Sequence, residues 1–534
     1  MLLHCGVRSV GKRACYLGVS VFQTPGEPEI AAVGRKHKTS TSMNECAITT
    51  NVEEEYEKTI KALNTLQSNA DTVRRSIANN TKQTPLQDTV KYLNRSGLSV
   101  DDIKKLSVIH VSGTKGKGST CALTESILRT HGVKTGFFSS PHLVSVTERF
   151  RINGQPIAKL KFTQTFWRIF KRLEKYRQYD TDMPPYFKFL TILCFHIFLE
   201  EKVDVTVLEV GIGGELDCTN VVSHTKTIGI TSLGLEHTNL LGETLEAIAW
   251  QKAGIIKNNS NVYTSATQSE CLRVIKERAA EKNAMLYIVP EFAQYMLNDK
   301  ICPQLQHLNN ITQLNGSLAI QLAYDWLRNN KNGYHTNIAL NTPVITEKVI
   351  EGITNCSWPG RCEILEFENL KIHLDGAHTV ESICLCSSWF ENVTKNSAKP
   401  KVLIFNATGE RDSHMLLKIL RQKIDITLSC FVPNIASGSS NNSDTMSVIG
   451  IADQIKRAKL HASNWQQLCD EADESDNGQV FGSILDSFCY VRHKFGLAQD
   501  VDILVTGSLH LIGATMLALD VFKRRKPLDI KVSD

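Results

Sequence analysis

The chain has 534 residues, 42% of them hydrophobic and 22% charged, the balance of a globular protein able to bury a sizeable core. At roughly 100–200 residues per domain, that length predicts two or three domains and excludes a peptide module. The net charge of +5, from 60 Lys+Arg against 55 Asp+Glu, is too small over such a length to support nucleic-acid binding.

The charge surplus is concentrated at the start of the chain. Residues 1–43 carry Arg8, Lys12, Arg13, Arg35, Lys36 and Lys38 against Glu27 and Glu29, with no acid before Glu27. A basic, acid-free, Ser-containing leader has the composition of a mitochondrial transit peptide. A protein started or processed near Met43 would lose it and keep every later motif. The expected locations are therefore the mitochondrion, at the matrix or inner membrane face, and the cytoplasm. No apolar run reaches the roughly 18 residues of a membrane span, so no stable membrane insertion is expected. Fifteen cysteines without one Cys-x-x-Cys pair point to reduced, buried thiols rather than a zinc ribbon or a disulfide framework.

From Thr59 onward the pattern alternates between helix and strand. Strands are predicted at Ser107–Val111, Thr135–Phe138, Val203–Val210 and Thr227–Thr231, and helices at Phe162–Tyr176, Phe187–Glu200, Thr244–Gly254 and Leu314–Asn329. This alternation predicts an α/β fold with a mostly parallel sheet and helices on both faces. The polar stretch Asn329–Thr342 breaks the pattern, and the boundary is placed near 345–356. Further strands at Lys371–Leu374, Lys401–Phe405, Thr427–Val432 and Asp502–Thr506 predict a second, smaller, Rossmann-like α/β domain. The division is a leader over 1–43, a P-loop domain over 55–350 and a C-terminal domain over 356–534. Asn434–Ser447, rich in Ser and Asn, and the acidic Asp470–Asp476 read as inserted, solvated loops.

The sharpest local signal is Gly113-Thr114-Lys115-Gly116-Lys117-Gly118-Ser119-Thr120, between a predicted strand and a predicted helix. Glycines let backbone amides curl around phosphate oxygens, the helix N-terminus adds positive potential, and Lys117 supplies a mobile charge for the β and γ phosphates. The spacing departs from the usual Walker A loop, with two residues rather than four between the first Gly and Gly-Lys.

This loop opens a series: Phe138-Ser-Ser-Pro-His-Leu143, Glu148-Arg-Phe-Arg-Ile-Asn-Gly154, Leu208-Glu-Val-Gly-Ile-Gly-Gly214, Glu236-His-Thr238, Gln251-Lys-Ala-Gly254, Trp358-Pro-Gly-Arg361, Asp375-Gly-Ala-His-Thr379, Phe405-Asn-Ala-Thr-Gly-Glu-Arg-Asp412 and Val505-Thr-Gly-Ser508. In that order the motifs resemble those of ATP-dependent amide ligases related to the bacterial muramyl peptide ligases, and within them the folylpolyglutamate synthase family. The resemblance covers about residues 55 to 520, and Lys115 favours its eukaryotic branch. It implies an enzyme that uses ATP and Mg2+, with room for a monovalent cation such as K+, to join L-glutamate to a reduced folate.

By that resemblance Gly113, Thr114, Gly116, Lys117, Gly118, Ser119, Asn315, Arg361 and Asp375 are expected to contact the nucleotide. Ser140, Glu209 and His237 match metal positions, and Lys117, Glu209, His237 and Lys252 are the expected catalytic set. Lys252 is similar to a lysine that some relatives carry as a carbamate, and an unmodified amine is the competing reading. Arg361 suits phosphate and Asp375 suits ribose hydroxyls, with an interdomain salt bridge as the plain alternative. His378 is open between a substrate contact and a satisfied core histidine. One departure stands out: Ile311-Thr312 occupies the place of a His-Gln pair usual before the Asn matched by Asn315, and His307 is assigned no role. A monomer is expected. The rival readings are a dihydrofolate synthase or bifunctional relative and, in another class, a P-loop switch protein. The switch reading lacks an explanation for motifs as distant as Trp358–Arg361.

Overall fold

The computed structural model describes residues 39–67, 85–298, 300–301, 308, 310–330, 338–409, 411–438, 444, 450–472 and 478–524. Residues 1–38 of the expected leader, His307 and parts of both predicted inserted loops lie outside them. The described sheets all lie within Val52–Asp534.

The first sheet has eight strands: β1 Val108–Ser112, β2 Thr135–Phe138, β3 Phe150–Ile152, β4 Gln155–Pro156, β5 Val205–Glu209, β6 Thr225–Ile230, β7 Asn261–Thr264 and β8 Met285–Ile288, in the spatial order β4-β3-β2-β5-β1-β6-β7-β8. All pairings are parallel except β2 with β3 and β3 with β4. The central strands are covered on both faces, which is why β1 and β5 are buried along their whole length and do not alternate in the sequence. Even His110 of β1 is fully buried, its Nε2 2.9 Å from Thr219 Oγ1, and burial pushes its pKa down to about 3.

Helices form the cover. In Lys159–Lys175 the buried Phe162, Phe166, Ile169 and Leu173 recur at helical spacing and make one apolar face. Tyr186–Glu201 is buried almost throughout from Phe189 to Phe198, and the two helices share a core with Phe138 and Phe150. On the opposite face Lys117–Thr130 packs against Asn310–Asn329 and Glu347–Thr354. That last helix sits so close that a Cβ on Gly352 would meet the Ile127 backbone at 2.7 Å. It therefore belongs with the first sheet, and the chain crosses to the second only after Asn355.

A short hairpin of β9 Met296–Leu297 and β10 Lys300–Ile301 precedes the crossing. The second sheet holds β11 Glu363–Phe367, β12 Leu370–Asp375, β13 Lys401–Phe405, β14 Leu428–Phe431, β15 Gln479–Val480 and β16 Val501–Thr506, in the order β11-β12-β16-β13-β14-β15. Only β11 runs antiparallel to its neighbour. The two halves meet closely. Gly513, in helix Leu509–Arg524, leaves room for the Leu143 carbonyl oxygen, which would stand 1.9 Å from any Cβ there. The cysteines described from Cys121 onward are free thiols, and no described helix is long and apolar enough to cross a membrane.

Candidate active site

Ligand sites in open α/β sheets gather at the carboxyl ends of the strands. Here β1, β5 and β6 lie side by side, and their ends carry Gly113, Glu209 and Thr231. Gly113 turns at φ +146° with Thr231 Oγ1 only 1.8 Å from where a Cβ would be. Gly116, at φ +86°, is the N-cap of helix Lys117–Thr130, and a Cβ there would strike Asn315 Oδ1 at 2.0 Å. Neither turn accepts a side chain. Thr114 fixes the loop to its neighbour: its amide donates to Ser232 O at 2.9 Å, its hydroxyl to Gly234 O at 3.1 Å.

Lys117 arches back over this loop, its Nζ donating to the carbonyls of Gly113 at 3.1 Å and Thr114 at 3.4 Å. Gly118 and Ser119 are half-buried in the first helical turn. Lys252 is 3% exposed and donates to Gly113 O at 2.7 Å. Burial first, then the nearby Lys117 charge, lowers its pKa to about 7.

Glu209 ends β5 and is 4% exposed, accepting the Ser140 amide at 3.1 Å. Burial raises its pKa, opposed by Lys117, the Ser140 amide, Arg361 and Arg149. A hard cation such as magnesium asks for oxygen donors and few of them from protein. Glu209 with the Ser140 hydroxyl fits that demand. No group of three His, Cys, Asp or Glu side chains is gathered among the described residues, so water and phosphate oxygens would complete the coordination. His237 stands apart, exposed and in the left-handed region at φ +54°. Burial of part of its ring and the Lys252, Lys117 and Lys115 charges lower its pKa against the pull of Glu236.

The second half contributes Arg361, just ahead of β11, and Asp375, at the end of β12. Arg361 faces Asp375 and Glu209, and burial lowers its pKa against both of those carboxylates. Asp375 is turned inward: one carboxylate oxygen accepts the Cys362 amide and the other the Ala377 amide, each at 2.9 Å. Those bonds lock the Trp358–Cys362 turn to the Gly376–His378 turn, while Arg361 Nη1 donates to Gly360 O at 3.2 Å within the first of them. Asn315, 8% exposed, accepts from Thr120 Oγ1 at 3.3 Å and lies against Gly116.

Two features escape a sequence reading. Lys115 Nζ lies 2.6 Å from Glu236 and 3.4 Å from His378 Nε2, tying the phosphate loop to the second half. His378 Nδ1 lies 2.8 Å from Gly376 O, so in the neutral ring Nδ1 carries the proton and Nε2 accepts from Lys115. The other feature is a cavity of about 340 Å3 beside the Gly211–Gly214 turn, walled by Phe187, Ile212, Leu216 and Leu240, with Lys188 and Asp217 as polar groups. The fold leaves Ile212, Leu216 and Leu240 there 45%, 48% and 57% exposed, apolar side chains gathered at one cavity with no core to serve.

No family model matches the chain. A mitochondrial folylpolyglutamate synthase from Bos taurus is 38% identical over 547 residues, spanning 87% of this chain and 92% of its own. The mitochondrial folylpolyglutamate synthase of Homo sapiens is 43% identical over 447 residues, 79% of this chain and 75% of that one. The chain belongs to the folylpolyglutamate synthase family. A solved structure of E. coli FolC in complex with DHPP and ADP superposes with a TM-score of 0.63 at 24% identity, covering 88% of this chain and 98% of that one. That likeness establishes a shared fold for this synthase-family chain: two mostly parallel α/β halves joined at one crossing.

Proposed function

We propose that the protein adds L-glutamate, through its amine, to the γ-carboxylate of tetrahydrofolate and its polyglutamates, with ATP converted to ADP and phosphate. Family membership supports the activity. The observation that carries the mechanism is the placement of Glu209 and Lys117 at one strand end, with Arg361 reaching them from the other half.

A carboxylate does not condense with an amine in water, so the folate carboxylate must first become a better acyl donor. Its oxygen attacks the γ phosphorus, the β–γ bridging bond breaks and ADP leaves. The glutamate amine then attacks the acyl carbon, and phosphate departs with the oxygen that came from the carboxylate. Lys117 and the amides of Gly113–Ser119 hold the β and γ phosphates, and Arg361 takes up charge on the transferring group. Ser140 and Glu209 hold magnesium, which when bound spreads the phosphate charge. His237 stands at the rim as a further metal or phosphate contact. Lys252, partly deprotonated at pH 7, stabilises the turn at Gly113 as an amine or supplies an oxygen donor as a carbamate. K+ is part of the same proposal, as a counter-charge for the polyanionic substrates.

The cavity beside Gly211–Gly214 seats the flat apolar part of the folate. Its volume and its few polar groups are those of a small-molecule pocket, and its lining residues Ile212, Gly213 and Gly214 follow Glu209 in the turn after β5. Asp375 and Asn315 shape the nucleotide site, Asp375 by bracing the turn that carries Arg361 and Asn315 by lying against Gly116. The protein acts as a monomer, in the mitochondrion with its leader and in the cytoplasm without it.

The test is ADP release by the full chain with tetrahydrofolate, with and without L-glutamate, and with dihydropteroate as a second acceptor. Release that needs both tetrahydrofolate and glutamate is expected, and Lys117→Ala abolishes it. Full release in Lys117→Ala would refute the phosphate role, and exclusive use of dihydropteroate would make the protein a dihydrofolate synthase.

A further inference from the structure

A second cavity lies away from the strand ends, where the chain crosses between halves. It measures about 140 Å3 and is lined by Glu125 and Arg129 of helix Lys117–Thr130, Arg151 and Gln155 of the β3–β4 hairpin, and Ser357 and Trp358 of the crossing segment. A larger cavity of about 290 Å3 adjoins it, sharing Arg151, Gln155 and Ser357.

The polar groups here are unequally satisfied. Glu125 Oε1 is committed to Arg129 Nε at 3.1 Å and to the Thr135 hydroxyl at 2.5 Å. Arg151 donates from Nη1 to Gly154 O at 3.3 Å, and its guanidinium lies 5.1 Å from the Trp358 ring centroid. Its Nε is buried without an acceptor. A buried N–H with no partner is uncommon enough to need an explanation, and a charged donor gains most from an anionic acceptor. Gly154, at φ +78°, keeps the second arginine in place, because a Cβ there would come within 2.9 Å of Arg129 Nε. A second acid, Glu148, lines the adjoining cavity and accepts the Leu143, Val144 and Ser145 amides at 2.9, 2.9 and 2.7 Å, so both carboxylates are engaged elsewhere and Arg151 Nε is left as the donor without an acceptor.

The position gives the cavity a route to the active site. Its floor is the same helix whose first turn forms the phosphate loop. Trp358 reaches from the cavity to that turn, its ring 3.1 Å from where a Cβ on Gly118 would stand. Three residues later comes Arg361.

We propose that this cavity is an effector site for a small oxyanion, held between Arg151 and Arg129 and coupled to the phosphate loop through Trp358. Inorganic phosphate and a short carboxylate such as L-glutamate share that chemistry, and both take part in the proposed reaction.

The test monitors intrinsic fluorescence of the full chain, with the phosphate loop filled by excess non-hydrolysable ATP analogue. Inorganic phosphate and L-glutamate are titrated separately, against chloride at matched ionic strength. A saturable change is expected, absent in Trp358→Phe and with its midpoint raised roughly tenfold or more in Arg151→Gln. Should Arg151→Gln fail to fold, Arg129→Gln, whose side chain is 34% exposed, carries the same expectation. A response to phosphate alone or to glutamate alone identifies the ligand. No saturable change beyond chloride, or an unchanged midpoint in the arginine variants, overturns the site. Coupling is read separately, as a change in analogue affinity on adding the anion, matched by an equal change in anion affinity on adding the analogue. Equal analogue affinities with and without the anion would overturn the effector role.

Discussion

The loop after β1 and the loop after β12 both leave the carboxyl end of a buried parallel strand, yet they spend their polar groups differently. After β1, glycines keep the turn bare, and Lys117 together with Lys252 from helix Leu245–Ala253 rests on the loop's carbonyls, from which a phosphate can draw them. After β12, each oxygen of Asp375 accepts a backbone amide, which ties the turn to its own chain. The first loop is left open; the second is braced, with the Arg361 charge beside it. Stability and activity should therefore separate cleanly between the two.

The largest effect is expected at Glu209. Glu209→Gln keeps the shape and an acceptor for the Ser140 amide but removes the buried charge. Turnover should fall about a hundredfold or more, while the melting temperature holds or rises, since burial alone disfavours this carboxylate. A variant that unfolds instead would make Glu209 structural.

Asp375→Ala should show the reverse balance. It strands the Cys362 and Ala377 amides, at a cost of about 1–3 kcal/mol for each amide left buried and unpaired, measurable by denaturant unfolding. Activity should fall mainly through loosening of the Trp358–Cys362 turn that carries Arg361. Unchanged stability would mean that water replaces the carboxylate and that the inward role is wrong.

Arg361→Lys is a smaller change. It keeps the charge and loses the planar fork, and kcat should drop about tenfold with little effect on stability.

The subtlest prediction concerns pH. Lys252 loses its proton near pH 7 in the folded chain and near its ordinary value of about 10.5 when unfolded. Between those values the unfolded state binds the extra proton, so this residue's contribution makes the fold more stable as pH rises. Lys252→Met should therefore gain more stability over the parent at pH 6.5 than at pH 9, by paired thermal melts. A constant difference would place the amine in ordinary water.

Much of this plan was legible in the sequence. The strands Thr135–Phe138 and Lys401–Phe405 emerge with the predicted ends, and the Gly113–Thr120 loop joins a strand to a helix as its composition requires. Periodicity and glycine spacing are local properties, and local properties survive folding. What stayed hidden is non-local or too short. β3 and β4 have three and two residues, below the length at which alternation shows. Lys115 and His378 meet across 263 positions of chain. The cavity at Phe187 and Leu240 is assembled from separate elements. The motif around Asp375 reports identity and not direction; only the fold shows that each of its carboxylate oxygens also accepts a backbone amide. Asp444 falls in the stretch whose composition predicts a solvated insertion, yet it accepts from the Tyr56 hydroxyl at 2.9 Å, and its carbonyl oxygen lies 2.9 Å from His142 Nε2. A Ser- and Asn-rich stretch gives no sign of one anchored residue within it.

The central claim is that the folate carboxylate is phosphorylated before the amine attacks. Tetrahydrofolate labelled with 18O in its γ-carboxylate, turned over with ATP and L-glutamate, reports this directly in the phosphate released. An acyl phosphate predicts one labelled oxygen in each phosphate formed, and phosphate free of label would contradict it.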